Sequence, residues 1–276
     1  MIFNQQKAFN PDKQIPDLSG RVVLVTGGNN GLGKETVNQL AKHNPARIYL
    51  GARNQEKAQA AIAAIKKGIP EANVVFLEID LASFSSIAKA VRVFLSEGDR
   101  LDVLVNNAGI FACPPGLTED GYEIQFGTNY MGPALLTRLL LPCLEKTAAV
   151  LGSDVRVVFS KLAEMYFARC LAKSNPAITT IAVHPGVVRT GIMDGPMSNP
   201  IMKWLLRFVG NAASVDIPTG TLNQLWACTV PRETITNGGM YYPVGKEFKG
   251  RRDAPDEDVA KELWSWTESE LKHIEL

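Results

Sequence analysis

Short runs of apolar residues recur along the chain between about residues 20 and 245. The runs are continuous rather than alternating, as in strands that have both faces buried in a parallel sheet. They cover Val22–Thr26, Ile48–Leu50, Val74–Ile79, Val103–Asn106, Val155–Ser160, Thr179–Val183 and Met240–Tyr242. The pattern therefore predicts about seven parallel strands.

Segments with apolar residues at three- and four-residue spacing separate these runs, as crossover helices do. They cover approximately Lys34–His43, Glu56–Lys67, Ser85–Ser96, Tyr122–Lys146, Lys161–Lys173 and Val215–Cys228. Pro133 lies inside the longest of them, so we expect a kink or a helix start there. Strands alternating with helices predict an α/β fold, a Rossmann-type doubly wound parallel sheet with helices on both faces. We expect residues 1–276 to form one domain.

Two segments do not fit the alternation. Residues 186–213 combine glycine and proline with the short apolar stretch Ile201–Val209, and are too long for an ordinary connection between a strand and a helix. We interpret them as a substrate lid at the carboxyl edge of the sheet. The charged tail at about residues 250–276 predicts a surface helix without a chemical role.

Composition narrows the classes of function. The net charge of +1 gives no field that would attract nucleic acid or an anionic membrane. The four cysteines are widely spaced and resemble neither a disulfide framework nor a metal site. The first twenty residues lack an apolar signal region, and no apolar run is long enough to span a bilayer. We therefore expect a cytoplasmic protein without bound metal.

The first strand is followed by the glycine-rich segment TGGNNGLG, residues 26–33, which leads directly into a helix. Glycines let the backbone turn tightly and approach a pyrophosphate, and the helix start offers unpaired N–H groups. The spacing GxxxGxG differs from the GxGxxG fingerprint of dinucleotide-binding proteins. The segment predicts a phosphate site, and a purely structural tight turn is the alternative.

Arg53 follows the second strand at the distance where such proteins contact the adenosine ribose. An acidic residue there would bind a ribose 2′-hydroxyl, whereas a guanidinium suits a 2′-phosphate. The residue therefore favours NADP(H) over NAD(H). The alternative is that Arg53 is a solvated loop residue.

Five motifs occur in order along the sheet region: TGGNNGLG at 26–33, Asp80-Leu81, NNAG at 106–109, Asn129 in QFGTNYMG, and HPGVVRT at 184–190. With these motifs the chain resembles the short-chain dehydrogenase/reductase family, and in particular its retinol-dehydrogenase-like branch. The resemblance implies hydride transfer between a nicotinamide and a carbonyl or alcohol. The cofactor-binding residues that we predict are Thr26, Gly27, Asn29, Asn30, Gly31, Leu32, Gly33, Arg53, Asp80, Leu81, Asn107, Ala108, Gly109, Lys161, Pro185, Gly186, Val188 and Thr190.

Within that set the resemblance implies separate roles. Asp80 and Leu81 would hold the adenine, and residues 107–109 would line the central part of the cofactor. Val188 and Thr190 would bind the carboxamide of the nicotinamide. His184, in contrast, is more typical of a packed strand-end residue than of a catalytic one.

The family catalyses proton transfer with Ser, Tyr, Lys and Asn, and the Tyr stands four residues before the Lys. Asn129 matches the Asn, and Lys161 in SKLA matches the Lys. Ser160 is the candidate serine, although it matches either the strand-end serine or the one just before the Lys. Val157 stands where the tyrosine is expected and cannot transfer a proton.

A second anomaly lies at the same place, because the predicted strand ending at Ser160 runs into the predicted helix beginning at Lys161 with no connecting residue. Reversal of direction normally takes about 2–6 residues. Either the sequence omits a segment between Ser160 and Lys161 that carries the Tyr, or the deletion is genuine. Tyr166 lies five residues after Lys161, and we interpret it as a packing residue rather than a catalytic one.

The sequence thus predicts an NADP(H)-dependent oxidoreductase, and the apolar lid favours a hydrophobic carbonyl or alcohol substrate. The alternatives are a catalytically silent NADP(H)-binding protein and, less favoured, an isomerase or dehydratase on the same fold. The apolar faces of Tyr122–Lys146 and Lys161–Lys173 would suit a homodimer of the kind common in the family.

Overall fold

The computed structural model describes residues 9–161, 164–186, 188, 215–248 and 257–276. In these residues one eight-stranded sheet has the strand order β3-β2-β1-β4-β5-β6-β7-β8. The strands are β1 Val22–Thr26, β2 Arg47–Ala52, β3 Val74–Glu78, β4 Val103–Asn106, β5 Arg156–Phe159, β6 Thr179–Val183, β7 Met240–Tyr242 and β8 Lys246–Glu247. Strands β1 to β7 pair in parallel, and β8 pairs antiparallel with β7.

The predicted doubly wound sheet is confirmed, with one strand more than expected. The central strands are almost entirely buried because apolar side chains point into hydrophobic clusters on both faces of the sheet. The missed strand, β8, has only two residues, both charged and exposed, so its sequence carries no strand pattern.

The helices cover both faces. They are α1 Pro11–Gln14, α2 Gly31–Ala41, α3 Gln55–Gly68, α4 Phe84–Glu97, α5 Ile124–Phe126, α6 Gly132–Ala148, α7 Met165–Ser174, α8 Ile217–Thr229 and the C-terminal helix α9 Glu257–Leu271. Side chains cap the starts of several: Asn30 caps α2, Asn54 caps α3 and Ser83 caps α4. Such caps satisfy first-turn N–H groups that have no partner inside the helix.

The long helix predicted over Tyr122–Lys146 is interrupted. A π-helical turn, Gly127–Met131, separates α5 from α6, and Pro133 lies at the start of α6. Proline is tolerated in the first helical turn because the N–H group that it lacks would have no helical partner there. Asn129 lies in the π turn, the type of local distortion that often accompanies functional residues.

The predicted start of the helix after β5 was wrong. The expected helix began at Lys161, but α7 begins at Met165, and Glu164 lies in a short helical turn before it. Ser160, Lys161 and Glu164 therefore lie in the connection between the strand and the helix. The physical reason is that a strand and its crossover helix run in opposite directions, so the chain needs connecting residues between them.

The tail forms the predicted helix, and this helix packs firmly on the body of the fold. Leu271 of α9 is fully buried, and the Trp264 and Phe167 rings are 4.9 Å apart. Arg138 of α6 donates hydrogen bonds to the carbonyl oxygens of Leu271 and Ile274. The predicted lid, residues 186–213, lies outside the described residues except for Gly186 and Val188. Among the described helices, none combines the length and the apolar character that a bilayer crossing requires.

Candidate functional site

The ends of β1 and β4 are joined by a hydrogen-bond network. The Thr26 hydroxyl accepts from the backbone N–H groups of Asn107 and Ala108, each at 3.0 Å. The side-chain amide of Asn107 donates to the carbonyl oxygen of Thr26 at 2.8 Å. These contacts bring the TGGNNGLG and NNAG motifs together at the carboxyl edge of the sheet, where ligands bind in open α/β sheets.

Two glycines allow the glycine-rich segment to pack closely on this network. Gly27 has a positive φ of 68°, and a Cβ there would lie 2.9 Å from the Cα of Ala108. A Cβ on Gly33 would collide with the Gly27 carbonyl and with the Asn107 side chain. The start of α2 is therefore held against the end of β1, and its first-turn N–H groups face the edge where a pyrophosphate would bind.

A polar hollow lies beyond the ends of β2 and β3. Its lining includes Arg53, Asp80, Ser86, Lys89 and Glu119. Asp80 is oriented by its own turn, since its carboxylate accepts from the N–H of Ala82 at 2.9 Å. Lys89 pairs with Glu78 at 3.1 Å, whereas Arg53 is exposed and has no ion pair within the described residues. Leu81 is buried against the start of α6.

The structure brings Gly109, Asn129 and Lys161 together. A Cβ on Gly109 would collide with Cε of Lys161 and would lie 2.9 Å from Oδ1 of Asn129. The Asn129 side chain accepts from the N–H of Ile110 and donates to its carbonyl oxygen, both at 2.8 Å. Asn129 thus fixes the loop after β4, and Lys161 passes over that loop.

Ser160 makes its hydrogen bond on the other side of the sheet edge. Its hydroxyl is buried and donates to Oε1 of Gln224 in α8 at 2.6 Å, while Gln224 donates to Thr36 in α2. Its hydroxyl hydrogen is therefore already used. Val157, four residues before Lys161, lies fully buried in β5, and Tyr166 packs against the core.

The loop after β6 contains the last motif. Gly186 has a positive φ of 83° and donates its N–H to Nδ1 of His184 at 2.9 Å. The His184 ring stacks on Tyr242, and burial lowers the pKa of His184, as expected for a packed residue. Val188 forms an isolated parallel bridge with Val215, whereas Thr190 lies outside the described residues.

Sequence reasoning missed Glu164. Its carboxylate is buried beside Lys161, with Nζ to Oε2 at 3.7 Å, and burial raises the pKa of Glu164 to about 7. The available signal was a glutamate three residues after the predicted catalytic lysine in an otherwise apolar segment. Among the described residues, no group of three potential metal ligands occurs.

Comparison with known families gives one clear match. The family described as short chain dehydrogenase matches residues 21–199. The chain is 35% identical to short-chain dehydrogenase/reductase drtF of Aspergillus calidoustus, with 95% of this chain and 97% of the relative covered. It is 32% identical to human retinol dehydrogenase 14, with 91% of this chain and 86% of the relative covered.

Solved structures show the same fold. A putative uncharacterized protein from Mycobacterium Paratuberculosis has a TM-score of 0.68 at 25% identity and covers 98% of this chain and 99% of its own. NADPH-bound carbonyl reductase from chicken fatty liver has a TM-score of 0.65 at 23% identity, and the match covers 84% of this chain and 99% of the reductase.

The sequence comparisons also show that this chain is shorter than its relatives within the matched region. The alignment with the Aspergillus protein runs over 307 positions, although it uses 95% of a chain of 276 residues. The alignment with the human protein runs over 291 positions and uses 91%. Both relatives therefore have residues inside the matched region that find no counterpart here.

Proposed function

Because the chain belongs to the short-chain dehydrogenase/reductase family, in its retinol-dehydrogenase-like branch, we propose that it transfers hydride between NADP(H) and a hydrophobic carbonyl or alcohol. Membership assigns the chain to the oxidoreductases that act on alcohol and carbonyl groups. The observation that carries the proposal is the convergence of Thr26, Asn107 and Gly33 at the carboxyl edge of the sheet.

The preference for NADP(H) rests on Arg53. Its guanidinium is exposed, unpaired within the described residues, and borders the polar hollow beside Asp80. A planar cation of this kind binds a phosphate through two parallel hydrogen bonds. In our proposal the 2′-phosphate lies against Arg53 and the adenine lies near Asp80 and Leu81.

The nicotinamide half would lie along the ends of β4 and β6. Asn107, Ala108 and Gly109 would line its central part, and Pro185, Gly186, Val188 and Thr190 would lie beside the ring. When bound, the nicotinamide supplies or accepts the hydride. The close approach of Lys161 and Asn129 at Gly109 supports a reaction centre at this point.

The proposed catalytic residues are Asn129, Ser160 and Lys161. Asn129 holds the loop on which Lys161 lies, and Lys161 would bind the cofactor and govern the proton at the substrate oxygen. Ser160 would have to exchange its bond to Gln224 before it could donate to a substrate. We propose that the sequence omits a segment between Ser160 and Lys161. This segment would correspond to the additional residues of the relatives and would carry the catalytic tyrosine.

The second candidate function, a catalytically silent NADP(H)-binding protein, rests on the residue at position 157. Val157 occupies the tyrosine position and is fully buried in β5, so the chain as it stands has no phenol one turn before Lys161. A protein with this site would bind NADP(H) without turnover, as a sensor or a scaffold. Cofactor binding without oxidation of NADPH separates this function from the first.

We propose a single domain, a cytoplasmic location and an apolar substrate contacted by residues 186–213. The predicted homodimer would use the faces of α6 and α7. Since α9 packs on both helices, such a dimer would have to include α9 or displace it. Light scattering coupled to gel filtration measures the oligomeric state directly.

The decisive experiment is a fluorescence titration with NADPH and NADH, followed by NADPH oxidation with a panel of hydrophobic ketones and aldehydes. Preferential binding of NADPH with turnover supports the oxidoreductase. Binding with no turnover on any carbonyl supports the silent protein. Absence of binding to both nucleotides would overturn both functions.

A further inference from the structure

Glu164 is a carboxylate in an unusual setting. Its side chain is 1% exposed, and neither of its oxygens has a hydrogen-bond partner among the described residues. Burial of an unsatisfied charged group is costly, so native proteins rarely keep one without a role. The group that faces it is the ammonium of Lys161, at 3.7 Å.

Lys161 is turned inward toward this carboxylate. Its side chain is 20% exposed, but its Nζ atom is buried and has no hydrogen-bond partner within the described residues. Its stem passes over Gly109 beside Asn129, at the loop that would line the cofactor. The same ammonium therefore lies between a buried anion on one side and the cofactor edge on the other.

The other ionisable groups that the structure describes near Glu164 do not provide a competing cation. Tyr130 of the π turn is buried, its hydroxyl shares a hydrogen bond with Thr267 of α9, and burial raises its pKa to about 12. The charges of Cys170 in α7, Glu164 and Glu268 in α9 add to that increase. Among the described residues, Lys161 is thus the group whose positive charge acts on Glu164.

We propose that Glu164 is a positioning residue that controls the availability of Lys161 to the cofactor. As a carboxylate it holds the ammonium inward, and as a neutral acid it releases the ammonium to the bound nucleotide. Burial raises the pKa of Glu164 and Lys161 opposes that shift, which leaves the carboxyl to titrate at about 7. Release therefore occurs on the acid side of neutrality.

This inference rests on the proposed function, because it requires that Lys161 contacts the nucleotide. It predicts that Glu164→Gln, which keeps the shape of the side chain without its charge, leaves Lys161 free at every pH. The variant should then bind NADPH more tightly than the wild type above pH 7 and equally well at about pH 6. A difference of about five- to tenfold at pH 8.5 is expected for coupling of ordinary strength.

The experiment compares NADPH dissociation constants of the wild type and Glu164→Gln from about pH 6 to pH 8.5. The ratio of the two constants is the readout, because titration of the nucleotide's own phosphate cancels in it. Glu71→Gln is the matched control, since Glu71 is exposed in the loop between α3 and β3, away from the site. Its ratio to the wild type should stay at one.

A second pair of variants separates positioning from a merely structural role. In a Lys161→Met background the Glu164→Gln change should no longer alter the pH dependence of NADPH binding, because the group that it controls is absent. A pH-independent ratio in the first comparison, or a persistent effect in the Lys161→Met background, overturns the inference and leaves the proposed function standing. Absence of NADPH binding at every pH in the wild type overturns both.

Discussion

Asn107 donates two hydrogen bonds to Thr26: its backbone N–H donates to the Thr26 hydroxyl, and its side-chain amide donates to the Thr26 carbonyl oxygen. Thr26 ends β1, and Asn107 directly follows β4, the neighbouring parallel strand. Their contacts fix the separation of the glycine-rich segment and the NNAG segment. The shape of the proposed cofactor edge therefore depends on one hydroxyl and one amide.

Thr26→Val should destabilise the fold and weaken NADPH binding. The change keeps the volume of the side chain but leaves the N–H of Ala108 without its acceptor, whereas the N–H of Asn107 keeps its bond to the Val105 carbonyl oxygen. An unsatisfied buried donor costs about 1–3 kcal/mol. Chemical denaturation measures this loss, and Thr26→Ser, which keeps the hydroxyl, should lose much less. Equal losses in the two variants would show that the hydroxyl is not the cause.

The sequence was sufficient for the sheet because the strands are short, apolar and buried on both faces. β1, β4, β6 and β7 have the predicted bounds. It was not sufficient at the start of α7, where helical periodicity extends through Lys161 although the helix begins only at Met165. Periodicity reports which residues are apolar, and the geometry of the preceding strand decides where a helix can begin.

The site was predictable where a motif fixes the backbone. Gly27 and Gly33 pack against Asn107 because neighbouring atoms leave no space for a Cβ at either glycine, and Asn129 is held by its two hydrogen bonds to the backbone of Ile110. The direction of Ser160 toward Gln224 depends on a helix 64 residues away, and no local pattern contains it. The burial of Glu164 is likewise absent from any local sequence pattern, because it depends on packing around the end of β5.

Arg53→Asp should weaken NADPH binding far more than NADH binding. The change removes a cation from the hollow beside Asp80 and adds a charge that repels the 2′-phosphate, which NADH lacks. Isothermal titration with both nucleotides checks this expectation. Arg92→Asp makes the same charge change at an exposed position on α4 and should affect both nucleotides little. An equal loss of both nucleotides in Arg53→Asp would remove the argument for NADP(H).

Lys161→Met should abolish turnover in an active preparation. Methionine keeps an unbranched stem over Gly109 but has no ammonium, so proton transfer at the substrate oxygen loses its cation. A loss of at least about a hundredfold in kcat is expected for removal of such a group. Lys67→Met, at an exposed position in the last turn of α3, is the matched control and should keep its activity. An unaffected rate in Lys161→Met would dismiss this lysine.

Leu271→Ala should detach the end of α9 and lower stability. Leu271 is fully buried, and the carbonyl oxygen of the same residue accepts from Arg138 of α6. Truncation of a buried leucine costs about 2–5 kcal/mol, depending on how far the cavity collapses. Val259→Ala removes atoms from a side chain of the same helix that is 49% exposed, and should change the free energy of unfolding by less than about 0.5 kcal/mol. Comparable losses in both variants would show that α9 packs too loosely to contribute.

Glu164→Gln should remove a pH dependence of stability. The pKa of Glu164 is raised from 4.5 to about 7 in the folded chain, so the folded state holds its proton more tightly than the unfolded state. The resulting stability is fully present below about pH 4.5 and is lost as the pH rises through about 7. Relative to the variant, the wild type should therefore lose up to about 3 kcal/mol over that interval. Urea denaturation at a series of pH values measures the difference, and parallel profiles for the two proteins would show that Glu164 titrates with its ordinary pKa.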